Sequence, residues 1–166
     1  MIGYNRGVNM AFSKERVIEH LKRDEGIVCE IYLDHLGYKT VGIGHLVLDS
    51  DPENDLDVGD PVPEERVMEL FEADLDIVMG DCEKAFPNWS DYNYTIQEVL
   101  INMMFNLGMT RLLKFKKFIA AIDEQDWNEA GAQMKDSQWW SQVGPRAQRL
   151  WERVIALDPD NDMELI

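Results

Sequence analysis

Residues 23–45 read RDEGIVCEIYLDHLGYKTVGIGH and place one polar side chain at a predicted helix end, one in a predicted turn and one in a predicted strand. Glu25 ends a predicted helix that begins after Ser13, and Gly26 is suited to stop that helix. The following residues favour two β-strands, at 29–33 and 38–43, with Asp34 in the turn between them and a threonine, Thr40, in the second strand. Folding this hairpin against the helix would bring Glu25, Asp34 and Thr40 to one rim.

A glutamate and an aspartate that flank an open slot are suited to the hydrolysis of a glycosidic bond. One carboxylic acid donates a proton to the leaving oxygen, while the other carboxylate activates water or stabilises the oxocarbenium-like transition state. The partial negative charge at a helix C-terminus would favour the protonated form of Glu25, which makes it the candidate acid. Asp34 is the candidate second carboxylate, and Thr40 can hold the attacking water. In so acidic a chain, ordinary surface carboxylates are the alternative interpretation of this spacing.

The composition narrows the classes of partner. The 166 residues are 45% apolar, which is enough to bury a core, and 32 acidic against 16 basic residues give a formal net charge of −16. This charge argues against a nucleic-acid partner, because binding a phosphate backbone requires Lys and Arg.

Cys29 and Cys82 have no metal-ligand spacing and are expected to be reduced, partly buried thiols, so neither a metal nor a cofactor is expected. No apolar run predicts membrane insertion, and no secretory signal is recognisable.

The sequence after the hairpin becomes helical. Segment 48–60 is acidic and rich in turn residues, which predicts a loop, with calcium binding as a minor alternative. Pro63 is suited to start a long amphipathic helix. Thr95 and Glu98 match a capping box for a buried helix that stops at Gly108. Further helices are predicted at about 111–122, 127–135 and 145–156.

Strands and helices are thus segregated along the chain, which indicates an α+β fold. We expect an N-terminal arm at 1–12, a helix with a small antiparallel β lobe at 13–62 and a connecting helix at 63–80. A helical lobe at 81–157 and an acidic tail at 158–166 would complete a single domain. A ligand cleft is expected between the two lobes.

The motifs within residues 23–45 closely resemble those of the phage-type lysozymes, the muramidase endolysins of T-even and related bacteriophages. In that family a D-E-G motif carries the catalytic glutamate, and a Y-x-D-x-x-G-x-x-T-x-G-x-G-H motif carries the aspartate and the threonine. Residues 24–26 and 32–45 match both motifs without a gap. The resemblance extends from about Val17 to Arg153 and includes 102–108, 127–130, 137–140 and 145–149. It implies a lysozyme-like fold.

The resemblance also implies residue roles. Glu25 would be the general acid, Asp34 the base or electrostatic stabiliser of an inverting reaction, and Thr40 the hydroxyl that positions water. Arg146 is a candidate electrostatic partner of Glu25, with an ordinary surface arginine as the alternative.

Two further candidates come from the resemblance, and His45 is interpreted from the sequence itself, since it has no partner at metal-ligand spacing and a second base would duplicate Asp34. Asn106 and Gln133 are candidates for hydrogen bonds to the saccharide across the cleft, with plain polar surface residues as the alternative. His45 is interpreted as structural and paired with a carboxylate such as Asp74.

The implied activity is cleavage of the β-1,4 bond between N-acetylmuramic acid and N-acetylglucosamine in peptidoglycan glycan strands. The resemblance implies a monomeric endolysin that is made in the host cytoplasm, released by a separate membrane-permeabilising protein, and active on the cell wall in the periplasm. The alternatives are a virion- or effector-associated cell-wall hydrolase, a non-catalytic sugar-binding module of the same fold, and a hydrolase of chitin oligosaccharides.

Overall fold

The computed structural model describes residues 11–161, which divide into two compact units. One unit is Glu15–Gly80, and the other joins the residues up to Lys14 to those from Asp81 onward. None of the described helices is both long and apolar enough to span a membrane. Most of the predicted arm and the end of the predicted tail, residues 1–10 and 162–166, lie outside the described residues.

The described residues contain one small sheet followed by a run of helices, which confirms the predicted α+β class. Short 3₁₀ helices occupy Pro52–Asp55 and Trp89–Asp91. The remaining elements are α1 (Lys14–Glu25), β1 (Val28–Leu33), β2 (Lys39–Gly42), β3 (His45–Leu46), α2 (Glu64–Ala85), α3 (Tyr94–Leu112), α4 (Lys116–Asp123), α5 (Trp127–Lys135), α6 (Gln138–Val143) and α7 (Pro145–Ile155).

The sheet of the first unit is antiparallel, in the order β1-β2-β3. One of its faces packs on a core that is made of Ile31, Val41, Val62, Val67 and Leu70. Strand β3 was not predicted, because two residues are too short to give an alternating pattern. It exists through its pairing with β2, which sets His45 opposite Val41 and Leu46 opposite Thr40.

Helix α2 is longer than the predicted connecting helix at 63–80, since it extends to Ala85. Its apolar stripe continues through Cys82, which is fully buried, and the amide of Phe86 still donates to the carbonyl of Cys82 at 3.1 Å. Burial raises the pKa of the Cys82 thiol to about 12, so it stays protonated. Cys29, which was predicted to be partly buried, is instead exposed in β1. Both cysteines are free thiols.

The acidic segment 48–60 is a loop, as predicted, and side chains from neighbouring elements hold it in place. Lys39 Nζ donates to the carbonyl oxygens of Asn54 at 3.2 Å and Leu56 at 2.5 Å. The guanidinium of Arg66, in α2, binds the buried carboxylate of Glu53 with N–O distances of 2.8–3.1 Å. Glu53 is thus engaged in an ion pair, contrary to the calcium alternative.

His45 lies between two carboxylates, as a structural residue. Nδ1 is 2.7 Å from Asp74 Oδ2 in α2, which confirms the predicted pairing, and Nε2 is 2.8 Å from Asp51 Oδ2 in the acidic loop. The hydrogen bond to Asp74 raises the pKa of His45 to about 9, against an opposing effect of burial and with further help from Asp51. Burial also opposes ionisation of Asp51, but the Leu48 amide and His45 outweigh it, so the pKa of Asp51 lies below its usual value.

Helix α3 of the second unit begins differently from the prediction. Asn93 is its N-cap, and the Asn93 side chain accepts a hydrogen bond from the amide of Ile96 at 2.9 Å. Glu98 is buried and pairs with Arg153 of α7 at 2.9 Å, while it also accepts from the amide of Ser13 at 3.2 Å. The predicted capping box is therefore wrong, because the Glu98 carboxylate is used in tertiary contacts.

The breaks between the later helices follow glycine and capping residues. Gly108, at φ 77° and ψ 166°, interrupts α3 as predicted, although helical turns resume up to Leu112. The next helix starts at Lys116 instead of about 111. Helix α6 was not predicted; it is capped by Ser137, whose side chain accepts from the amide of Trp140.

Helices α5 and α7 approach closely at a glycine. A Cβ atom at Gly131 would lie 2.5 Å from Ile155 Cγ2 and 2.9 Å from Trp151 Nε1. Just beyond α7, the Asn161 side chain donates to Asn128 Oδ1 at 2.7 Å and to the Ile155 carbonyl at 2.9 Å. These bonds tie the described start of the predicted tail to α5.

Candidate active site

Glu25 is the last residue of α1, as predicted. Gly26 ends the helix with φ +75°, a conformation that favours glycine, and its amide donates to the Lys22 carbonyl at 2.9 Å. The Glu25 side chain is half-buried, and the backbone of Gly44 lies beside it. A Cβ atom at Gly44 would lie 3.8 Å from Glu25 Oε2. The loop between β2 and β3 therefore borders this carboxylate.

Asp34 follows β1 directly and organises the turn to β2. Its Oδ1 atom accepts hydrogen bonds from the amides of Leu36 and Tyr38, each at 2.9 Å. Its own amide donates to the Tyr38 carbonyl at 2.9 Å, and Gly37 completes the turn with φ +87°. Because two backbone amides of the turn bind Oδ1, the Asp34 carboxylate is held in place by the hairpin itself.

Thr40 lies in β2 and is 5% exposed. Its hydroxyl donates to the Tyr38 carbonyl at 3.0 Å. Thr40 is directly opposite Tyr32 of β1 in the antiparallel register. Since the neighbouring Ile31 and Val41 face the core, alternation along each strand puts Tyr32 and Thr40 on the other face of the sheet. Asp34 follows two residues after Tyr32.

Tyr32 is a candidate functional residue that the sequence analysis did not single out. Burial, and then the charges of Glu25 and Asp34, raise the pKa of the Tyr32 phenol. The phenol is therefore within electrostatic reach of both carboxylates. Glu25, Asp34 and Thr40 all belong to the unit Glu15–Gly80, and Thr40 lies directly opposite Tyr32 in the sheet. The signal in the sequence was the position of Tyr32 in the predicted strand, two residues before Asp34.

Asn106 and Gln133 lie in the second unit, and both have partners there. Asn106 Oδ1 accepts a hydrogen bond from the indole N–H of Trp139 at 2.9 Å. Gln133 Nε2 donates to Glu129 at 2.7 Å. Gln133 also lines a cavity of about 400 Å³ together with residues before and at the start of α4 and at the α5–α6 junction, namely Lys114, Phe115, Lys116, Lys117, Phe118, Asp136 and Ser137.

Arg146 is buried, with 6% of its surface exposed, so it is not the surface arginine of the alternative interpretation. Its Nε donates to Asn102 Oδ1 at 2.8 Å, and a terminal nitrogen donates to the Asn102 carbonyl at 3.1 Å. Asn102 is itself 3% exposed, and the sequence analysis gave it no role. The pair joins the start of α7 to the middle of α3.

Within residues 11–161, no group of three or more His, Cys, Asp or Glu side chains is arranged to hold a metal ion. The sequence model of the phage lysozyme family matches residues 22–154, a range that contains all six candidate site residues. The chain belongs to the phage lysozyme family.

Curated relatives of this family member are of two kinds. The chain is 33% identical over 151 residues to the pre-baseplate central spike protein Gp5 of Enterobacteria phage T4. This match covers 80% of the chain but only 26% of Gp5. The chain is also 32% identical to probable T4-type lysozymes 2 and 1 of Dictyostelium discoideum, over 149 and 150 residues, which covers 78% of the chain and 88% of each relative. Membership in the family supports a lysozyme-like hydrolase of the cell wall.

Proposed function

We propose that this phage lysozyme family member hydrolyses peptidoglycan at the β-1,4 bond between N-acetylmuramic acid and N-acetylglucosamine. The observation that carries the proposal is the placement of Glu25, Asp34 and Thr40 in one compact unit, at the positions of the family's motif. Burial, and then the charges of Glu25 and Asp34, raise the pKa of the Tyr32 phenol, which supports placing both carboxylates near this side chain.

The proposed chemistry gives each of the three side chains one role. Glu25 donates its proton to the glycosidic oxygen as the C–O bond breaks. Asp34 accepts a proton from a water held by Thr40, and this water attacks the anomeric carbon from the opposite side. The product then has an inverted anomeric configuration, which requires carboxyl groups that are about 6.5–9.5 Å apart.

Residues of the second unit are proposed to bind the substrate. Asn106 and Gln133 offer amide groups to saccharide oxygens, and Arg146 contributes positive charge. Because Arg146 is 6% exposed, its proposed contribution is the positive charge of its guanidinium more than a direct contact with the sugar. The hydrogen bond to Asn102 holds this guanidinium in place. The proposed enzyme acts as a monomer on the periplasmic cell wall, after synthesis in the host cytoplasm and release by a separate membrane-permeabilising protein.

The test of this proposal is cleavage of purified peptidoglycan by the wild-type chain and by Glu25→Gln, with reducing ends and free amines both measured. Wild type is expected to release reducing ends, and Glu25→Gln should lose at least ~100-fold of that rate because no acid protonates the leaving oxygen. Glu64→Gln, on an exposed position of α2, is the matched control and should behave as wild type. Equal rates for Glu25→Gln and wild type, or release of amines, would refute the proposal.

A virion-associated role is the second candidate, and the similarity to Gp5 favours it. That relative is named as a spike protein, and the chain matches about a quarter of its length. The discriminating measurement is the distribution of the chain between purified phage particles and the soluble fraction of a lysate. Recovery with the particles, at a constant ratio to the major capsid protein, favours this second role. Recovery in the soluble fraction alone favours the endolysin.

A further inference from the structure

Tyr32 occupies a distinctive place among the residues of the proposed active site. It faces Thr40 across the β1–β2 register, and it precedes by two residues Asp34, which begins the turn after β1. Tyr32 and Thr40 lie on the face of the sheet opposite to the core of Ile31 and Val41. Tyr32 as a whole is half-buried.

The geometry points to Tyr32 as a further substrate-contacting residue, whose phenolic hydroxyl donates a hydrogen bond to an oxygen of the sugar bound between Glu25 and Asp34. This inference rests on the proposed glycosidase function. It assigns to Tyr32 a contact that strengthens as the glycosidic bond breaks.

The chemistry of the phenol suits a donor in this place. A tyrosine hydroxyl can donate one hydrogen bond, and saccharides offer hydroxyl, ring and acetamido oxygens as acceptors. Burial, and then the charges of Glu25 and Asp34, disfavour the phenolate and raise the pKa of Tyr32, so the hydroxyl keeps its proton. The rigid strand positions the ring, since the backbone of β1 is paired with β2 at this residue. A donor that is already positioned costs no reorganisation when charge is redistributed in the transition state.

The arrangement of the neighbours supports this role over a purely structural one. Thr40 already uses its hydroxyl as a donor to the Tyr38 carbonyl, and Asp34 Oδ1 is occupied by two amides of the turn. The turn and the strands are therefore held by bonds that do not involve the Tyr32 hydroxyl. Removal of that one oxygen should leave the hairpin intact.

The test compares Tyr32→Phe with wild type in the release of reducing ends from purified peptidoglycan, with kcat and KM obtained separately. Tyr32→Phe is expected to lower kcat by ~10–100-fold with less than about a threefold change in KM, as for loss of one donor to a transition state. Tyr38→Phe is the matched control, because Tyr38 lies in the same hairpin and its side chain is 58% exposed. Tyr38→Phe should leave both kcat and KM unchanged.

Three outcomes would overturn the inference: an unchanged kcat in Tyr32→Phe, a rise in KM with kcat unchanged, or an equal loss in Tyr38→Phe. Thermal unfolding of each variant is recorded first, and activity is assayed well below the lowest melting temperature, so that unfolding cannot mimic the effect. The Glu25→Gln variant separates the two proposals. If wild type is inactive, or Glu25→Gln is as active as wild type, the glycosidase proposal itself fails. If those two behave as expected and Tyr32→Phe matches wild type, only the role of Tyr32 fails.

Discussion

At the scale of single residues, His45 gives the clearest pH dependence. Asp74 and Asp51 hold the folded-state pKa of His45 at about 9, above the usual 6.5. The imidazolium therefore stabilises the fold fully below about pH 6.5, and this stabilisation is lost as the pH rises through about 9. The shift corresponds to about 3 kcal/mol. His45→Asn should lower the free energy of unfolding by about this amount at pH 6 and by clearly less at pH 10.

Urea unfolding at both pH values measures this effect. His35→Asn is the control, since His35 is exposed in the turn between β1 and β2, and its loss should stay within about 0.5 kcal/mol. An equal destabilisation by His45→Asn at pH 6 and pH 10 would mean that packing of the imidazole, and not its charge, is what matters.

Individual residues also show what the sequence could reveal of the site. Glu25, Asp34 and Thr40 stood out because a helix end, a turn and a strand are each visible in the local pattern. Tyr32 did not stand out, because a tyrosine in a short strand is ordinary and only the cross-strand register sets it opposite Thr40. The burial of Arg146 was equally hidden, since it depends on Asn102, which is distant in sequence.

At the scale of elements, the ion pair between Glu53 and Arg66 fastens the acidic loop to α2. The hydrogen bonds from Arg66 hold the pKa of the Glu53 carboxyl below its usual value. Arg66→Met would leave a carboxylate that is 7% exposed without its cation. We expect a loss of about 3 kcal/mol in the free energy of unfolding, measured in urea at pH 7.

The control for this prediction is Glu69→Gln. Glu69 is 3.3 Å from the same guanidinium, but its side chain is 68% exposed, so the loss should be below about 0.5 kcal/mol. If Arg66→Met lowers the free energy of unfolding no more than Glu69→Gln does, the loop is held by its other contacts, at Lys39 and His45.

Elements with strong local patterns were predicted from the sequence, and those that depend on tertiary contacts were not. Helix α5 was predicted to the residue, because its apolar stripe is regular. Strand β3 is only two residues long and exists through pairing. The cap of α3 was misplaced because Glu98, which fits a capping box by spacing, pairs with Arg153. Helix α2 was predicted too short, because the burial of Cys82 and Phe86 continues it.

At the scale of the whole molecule, charge should govern the encounter with the proposed substrate. The net charge is −16, and the stem peptides of peptidoglycan also bear carboxylates. The two repel each other at low ionic strength, and the range of this repulsion shrinks from about 30 Å at 0.01 M salt to about 8 Å at 0.15 M. The rate of peptidoglycan cleavage should therefore rise between these two concentrations.

Soluble N-acetylglucosamine oligomers, which carry no carboxylate, are the matched substrate for this comparison. Their cleavage, where detectable, should show little change over the same range of salt. A peptidoglycan cleavage rate that falls steadily from 0.01 to about 0.15 M would contradict the proposed repulsion.

The close approach of α5 and α7 links the identities of two distant positions. Because a Cβ atom at Gly131 would lie 2.5 Å from Ile155 Cγ2 and 2.9 Å from Trp151 Nε1, a larger residue at 131 needs a smaller one at 155 together with a shift of the Trp151 indole. Homologous chains that keep this helix spacing should therefore exchange volume between the two positions, so that substitutions at 131 and 155 covary. This packing constraint does not depend on catalysis. The covariation of positions 131 and 155 is therefore also expected in homologous chains that have lost the catalytic residues.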